Sequence, residues 1–137
     1  MIYLCNTDSI MGPSVNKNIL VVEDNRAILD VITLILQSEA YQVTGLNKGA
    51  DILQHINLHK PHLIILDIML PDVDGRDLLT LIRSQDHTSK IPVLMISARY
   101  TVENIEHGPE KPDDFLAKPF DIDSLLDKIE AILDKDR

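Results

Sequence analysis

The sequence predicts an α/β fold: five parallel strands in one doubly wound sheet, with helices on both faces. Two observations lead there. Short apolar runs without period-2 alternation recur along the chain, as strands buried on both faces do. Between them lie segments with helical periodicity. A third observation bears on function. The first and third runs both end on acids, Glu23-Asp24 and Asp67.

The stretch from Pro61 to Gly75, PHLIILDIMLPDVDG, organises the rest. Its apolar run ends on Asp67 and passes into a turn-rich loop. In an open α/β sheet the carboxyl edge of the strands is where ligands bind. On position alone, Asp67 reads equally well as a loop acid facing water.

In chain order, Asn18 to Val22 is a β-branched strand followed by Glu23 and Asp24. In the segment NRAILDVITLILQSEA, Ile28, Val31, Ile32 and Ile35 follow helical spacing, with Asp24 or Asn25 as N-cap. Tyr41 to Leu46 is a weaker strand. Lys48 to Leu58 is a shorter helix, with Ile52, Leu53 and Ile56 inward. The strand ending at Asp67 follows. Arg76 to Gln85 is a third helix on Leu78, Leu79 and Ile82. Ile91 to Ile96 is a fourth strand, ending at Ser97 and Ala98. Phe115 to Ala117 is a fifth, ending at Lys118-Pro119. The last helix carries Ile122, Leu125, Leu126, Ile129, Ile132 and Leu133 in one stripe. Acids near its start (Asp121, Asp123) and bases near its end (Lys135, Arg137) match the helix dipole.

Residues 99 to 114, RYTVENIEHGPEKPDD, break the pattern. Only Val102 and Ile105 offer an inward face, and Gly108-Pro109 stops the helix. The helix between the fourth and fifth strands is therefore expected to be short or irregular.

The chain has 137 residues, 45% of them apolar, which suits one globular domain. Residues 1–16 are expected as a flexible tail before a domain at 17–137, and Met11 could also initiate. No basic n-region or long h-region marks a signal peptide, and no run reaches membrane-span length. The single cysteine, Cys5, permits no internal disulfide, in keeping with a cytoplasmic location. A net charge of −9 disfavours direct nucleic-acid binding and fits a cation site or a basic protein partner. The five histidines show no metal-ligand spacing and read as surface or loop residues.

Five-stranded doubly wound sheets commonly run 2-1-3-4-5, with the ligand crevice between strands one and three. Glu23, Asp24 and Asp67 would then share one crevice. At ~4 Å and an effective dielectric near 20, each like-charged pair costs roughly 4 kcal/mol. A divalent cation is the obvious counter-charge. Oxygen-only ligands favour Mg²⁺, Mn²⁺ or Ca²⁺ over zinc, and Mg²⁺ readily adds a phosphoryl oxygen. Ser97 and Lys118 end the next two strands at the same edge. Alone, Ser97 reads as a cap and Lys118 as a surface lysine. Together, a hydroxyl and a point charge suit the oxygens of a phosphoryl group on its way to a carboxylate nucleophile.

At this point NILVVEDN, HLIILDIMLPDVDG, VLMISA and DDFLAKPF, in this order and spacing, resemble the receiver domain of two-component response regulators, a flavodoxin-like fold. The resemblance runs from about Lys17 to Asp136. It implies that Asp67 takes phosphate from a histidine kinase or histidine phosphotransfer protein. It implies Mg²⁺ (or Mn²⁺) on Glu23, Asp24, Asp67 and the backbone carbonyl of Met69. Ser97 and Phe115 match the switch pair, Lys118 the family's lysine, and the Lys118-Pro119 bond would be cis. Such a protein is a phosphoacceptor that assists its own phosphotransfer and dephosphorylation, rather than an enzyme. A downstream partner would meet the face built from the fourth helix, fifth strand and fifth helix. Glu23 stands where aspartate is more usual, and Phe115 lacks the hydroxyl of the tyrosine often found there. The resemblance also implies that Met69 and Arg99 flank the phosphate site and influence how fast it hydrolyses.

Two other readings stay open. One is a receiver-like binding module indifferent to phosphorylation. The other is a small phosphatase or flavin enzyme, although EDNRAI offers no Ser/Thr/Gly phosphate loop after the first strand. The chain could be a stand-alone receiver or one domain of a longer regulator or hybrid kinase.

Overall fold

The computed structural model describes residues 17–98 and 111–134. In order they form β1 (Asn18–Val22), α1 (Arg26–Ser38), β2 (Gln42–Leu46), α2 (Ile52–His59), β3 (Leu63–Asp67), α3 (Gly75–Ser84), β4 (Val93–Ser97), β5 (Asp114–Ala117) and α4 (Ile122–Asp134). All four strand pairings are parallel, in the order β2-β1-β3-β4-β5.

The central strands β3 and β4 are buried along their whole length, which is why their sequences carry no alternation. Their side chains still divide by parity. Ile19, Val21, Leu63, Ile65, Leu94 and Ile96 pack beneath α1 and α4. Leu20, Val22, Ile64, Leu66, Val93 and Met95 pack beneath α2 and α3. Each fully buried Leu or Ile contributes about 1.5–3 kcal/mol, so both faces draw on the same strands for stability.

The helices differ in detail from the sequence expectation. On α1 the buried residues are Leu29, Ile32 and Leu36, not the stripe of Ile28, Val31, Ile32 and Ile35; Val31 is 55% exposed. The segment is apolar nearly all round, so periodicity alone left its phase open. Asn25, not Asp24, is the N-cap, accepting the Ile28 N–H at 3.1 Å. Helix α2 begins at Ile52 rather than Lys48, because the chain enters through Asp51 with φ 68°. On α4, Leu125, Ile129, Ile132 and Leu133 are buried, but Ile122 lies at the exposed first turn.

Of the histidines, His55 and His59 sit half-buried on α2 with stacked rings, and His62 and His87 are exposed. The tail at 1–16, the irregular helix expected within 99–114, Arg99, His107 and the bases after α4 lie outside the described residues. Among the described residues no helix is long and apolar enough to cross a membrane.

Candidate functional site

The strand order makes the carboxyl ends of β1 and β3 neighbours, and the acids meet there. Val22 pairs with Leu66, so Glu23 and Asp67 leave the sheet side by side. Glu23 extends the ladder by donating its N–H to the Leu46 carbonyl at 2.9 Å. One carboxylate oxygen from each of Glu23, Asp24 and Asp67 lies within 4.8 Å of the other two. Glu23 and Asp67 are buried, whereas Asp24 is exposed.

Lys118 reaches this cluster from the end of β5. Its Nζ donates to Asp67 Oδ2 at 2.9 Å. It also lies 2.7 Å from Glu23 Oε1, forming an ion pair with that buried carboxylate. The contact with Glu23 was not foreseen from the sequence, which placed Lys118 only as a point charge for phosphoryl oxygens. The Lys118 backbone N–H bonds the Ser97 carbonyl at 2.9 Å, and the Lys118-Pro119 peptide is cis. The other Asp67 oxygen, Oδ1, accepts the Met69 N–H at 3.0 Å, and Glu23 Oε2 accepts the Asn25 N–H at 3.1 Å.

The electrostatics follow from burial. Loss of water pushes the Glu23 carboxyl up to about 7; Lys118 and the Asn25 N–H oppose this, and Asp67 adds to it. Burial pulls the Lys118 ammonium down, but Glu23 and Asp67 together carry it above its ordinary value. Among the described residues one cation, Lys118, thus faces three carboxylates. An all-oxygen donor set with excess negative charge fits a hard divalent cation such as Mg²⁺.

Ser97 is the last residue of β4, buried and paired with Ala117. Phe115 pairs with Met95, two residues before Ser97, so Ser97 and Phe115 fall on the same side of the sheet by parity. Phe115 is half-buried against the α2–α3 core. Met69 is 40% exposed at the mouth of the site.

Two loop acids went unremarked in the sequence. Asp74 caps α3 through the Arg76 N–H at 2.8 Å and pairs with the Arg76 guanidinium at 2.7 Å. Asp72 accepts the N–H groups of Gly49 and Ala50, at 2.9 and 2.7 Å. The sequence signal for both was the Asp-rich turn PDVDG, which gives a loop but not its partners.

A doubly wound 2-1-3-4-5 sheet, with an acidic pocket and one lysine at its carboxyl edge, defines a receiver-like α/β domain. The chain belongs to the response regulator receiver domain family, whose model matches residues 19–130. It is 34% identical over 116 residues to the DNA-binding dual master transcriptional regulator RpaA of Synechocystis sp., covering 84% of this chain and 48% of that protein. It is 36% identical over 118 residues to the transcriptional regulatory protein GltR of Pseudomonas aeruginosa, covering 85% and 49%. The chain thus spans about half the length of these curated relatives. The Francisella response regulator 1452 receiver domain superposes with a TM-score of 0.80 at 30% identity, covering 89% of this chain and all of that one.

Proposed function

We propose that this domain is a phosphorylation-dependent switch, in which Asp67 accepts a phosphoryl group from a phosphohistidine of a kinase or phosphotransfer protein. The reading rests foremost on Lys118 Nζ bridging Asp67 and Glu23, at 2.9 and 2.7 Å, within a pocket of three carboxylates. In the transfer an Asp67 oxygen forms a bond to phosphorus. The bond from phosphorus to the donor imidazole nitrogen breaks, and that nitrogen keeps the electron pair.

Mg²⁺ held by Glu23, Asp24, Asp67 and the Met69 carbonyl would neutralise charge on the transferring oxygens. Lys118 supplies the second positive charge and holds Asp67 in place. The Met69 N–H fixes the rotation of the Asp67 carboxylate, directing Oδ2 toward the lysine. Ser97 donates its hydroxyl to the new phosphoryl group, and Phe115 repacks in response. The partner face includes β5 and α4. The working unit begins near Lys17, works in the cytoplasm and contacts neither nucleic acid nor membrane itself.

The test is incubation with a small acyl phosphate donor and Mg²⁺, followed by intact-mass measurement. One acid- and base-labile phosphoryl adduct is expected, absent in Asp67→Asn and without Mg²⁺. An adduct that persists in Asp67→Asn would exclude this role for Asp67.

A further inference from the structure

We propose that Asp72 is a positioning residue for the cation site, fastening the loop that carries Met69 to the loop between β2 and α2; this rests on the Mg²⁺ reading above. The β3–α3 loop leaves Asp67 and folds back on itself. Met69 and Asp74 form an antiparallel bridge, and the Gly75 N–H donates to the Ile68 carbonyl at 2.7 Å. That closes the base of the loop, where the Met69 N–H touches Asp67.

The tip is held by Asp72. Its two oxygens take the Gly49 and Ala50 N–H groups at 2.9 and 2.7 Å, a two-pronged clasp between segments more than twenty residues apart in sequence. Packing around the clasp is independent evidence of close fit. Gly49 is buried, and a Cβ there would collide with Val73 Cγ1 and lie 2.6 Å from Leu78 Cδ1. The Gly49 and Ala50 donors hold the Asp72 carboxyl below its ordinary range, so it stays an acceptor at neutral pH.

The clasp matters to the cation because of where each ligand sits. Glu23 and Asp67 are fixed by the sheet, but Met69 depends on its loop. Mg²⁺ demands near-octahedral geometry at short distances and tolerates little displacement of a carbonyl. Without the clasp the tip is held only by the packing of Leu70 and Val73, and a shift there is passed along the short loop to the Met69 backbone. Partners beyond the ligands typically alter metal affinity 10- to 100-fold. Asp72 acts through a loop rather than on a ligand side chain, so the lower end applies.

The experiment is Mg²⁺ titration by calorimetry on the full chain, with Asp72→Ala, Asp72→Asn and Asp24→Ala, alongside amide exchange at Gly49 and Ala50. Asp72→Ala should weaken Mg²⁺ binding about tenfold and speed exchange at both amides by a similar factor, with little change in the urea midpoint. Asp72→Asn, which keeps one acceptor oxygen, should fall between. Unchanged Mg²⁺ affinity in Asp72→Ala despite faster exchange would make the clasp purely structural and overturn the positioning role. Unchanged exchange would overturn the clasp itself. Wild type that binds no Mg²⁺, or Asp24→Ala that binds as tightly as wild type, would instead remove the cation reading and this inference with it.

Discussion

Replacing Gly75 with alanine tests whether the backbone behind Asp67 is as tightly built as the fold requires. Gly75 is buried at the first turn of α3, against the segment it closes. A Cβ there would run into the Asp67 carbonyl oxygen and lie 2.7 Å from Ile68 Cα. Carbon pairs prefer about 3.5–4.0 Å, so the shortfall is roughly 1 Å against backbone atoms that no rotamer change can relieve. Overpacking of this kind costs about 1–3 kcal/mol. Alanine's helix propensity returns at most about 1 kcal/mol. Against backbone atoms the upper part of that range applies, so a net loss of about 1–2 kcal/mol lowers the urea midpoint by roughly 1 M, at a denaturant slope of about 1–2 kcal/mol/M. Far-UV circular dichroism in urea reads it directly.

Gly45→Ala is the control. Its Cβ would meet Leu29 Cδ1 at 3.2 Å, a side-chain end that need give only a few tenths of an ångström rather than backbone, so its midpoint should fall less than that of Gly75→Ala. Gly75→Ala should also slow phosphorylation beyond what its stability loss explains, because a 1 Å displacement of a reacting group can cost about 10²-fold. A Gly75→Ala midpoint equal to wild type would refute the close approach, and the argument for a rigid Asp67 would go with it.

Lys118→Met removes the cation between two buried carboxylates, and breaking such a pair costs about 3–5 kcal/mol; urea unfolding should show the loss, and added Mg²⁺ should restore part of it. Asp24→Asn leaves stability without metal unchanged or slightly higher. It should abolish the Mg²⁺-dependent rise in Tm, which for wild type is worth about 2.7 kcal/mol at 100 times Kd. Asp74 is held below its ordinary carboxyl value first by its Arg76 hydrogen bond, so its folded pKa lies under the unfolded 3.8. Its contribution is present above that value and is lost as pH falls through the folded one. The Tm of Asp74→Asn should therefore fall less than that of wild type between about pH 5 and pH 2. Equal Tm losses in the two proteins would contradict it.

Strand positions were legible in the sequence because each depends on a local signal, and the convergence of Glu23, Asp24, Asp67 and Lys118 followed once the common 2-1-3-4-5 order was applied to them. Continuous apolar runs mark doubly buried strands, and each run's last polar residue sits at the functional edge. The phase of α1 was not legible. Leu29, Val31, Ile32, Leu34 and Ile35 support more than one inward face, and only the sheet beneath selects Leu29 and Leu36. The late start of α2 was hidden for a different reason. Asp51 stands at φ 68°, outside the helical region, and the Gly49 and Ala50 N–H groups before it are taken by Asp72, 23 residues beyond Gly49. A sequence shows that an aspartate favours a turn, but not which distant amides its carboxylate will reach.

Burial works against the charged form of Glu23 even beside a cation. A carboxylate 2.7 Å from an ammonium would ordinarily titrate low, yet burial leaves this one at about 7. Lys118 divides its charge between Glu23 and Asp67, and among the described residues Asp24 has no ion pair. Hydrophobic replacements would remove this cost, since well-packed apolar groups commonly match or exceed a buried ion pair in stability. The acids therefore make poor sense as structural elements. They make good sense as a site whose remaining negative charge is complementary to a divalent cation, with Lys118 already placed for the oxygens of a phosphoryl group.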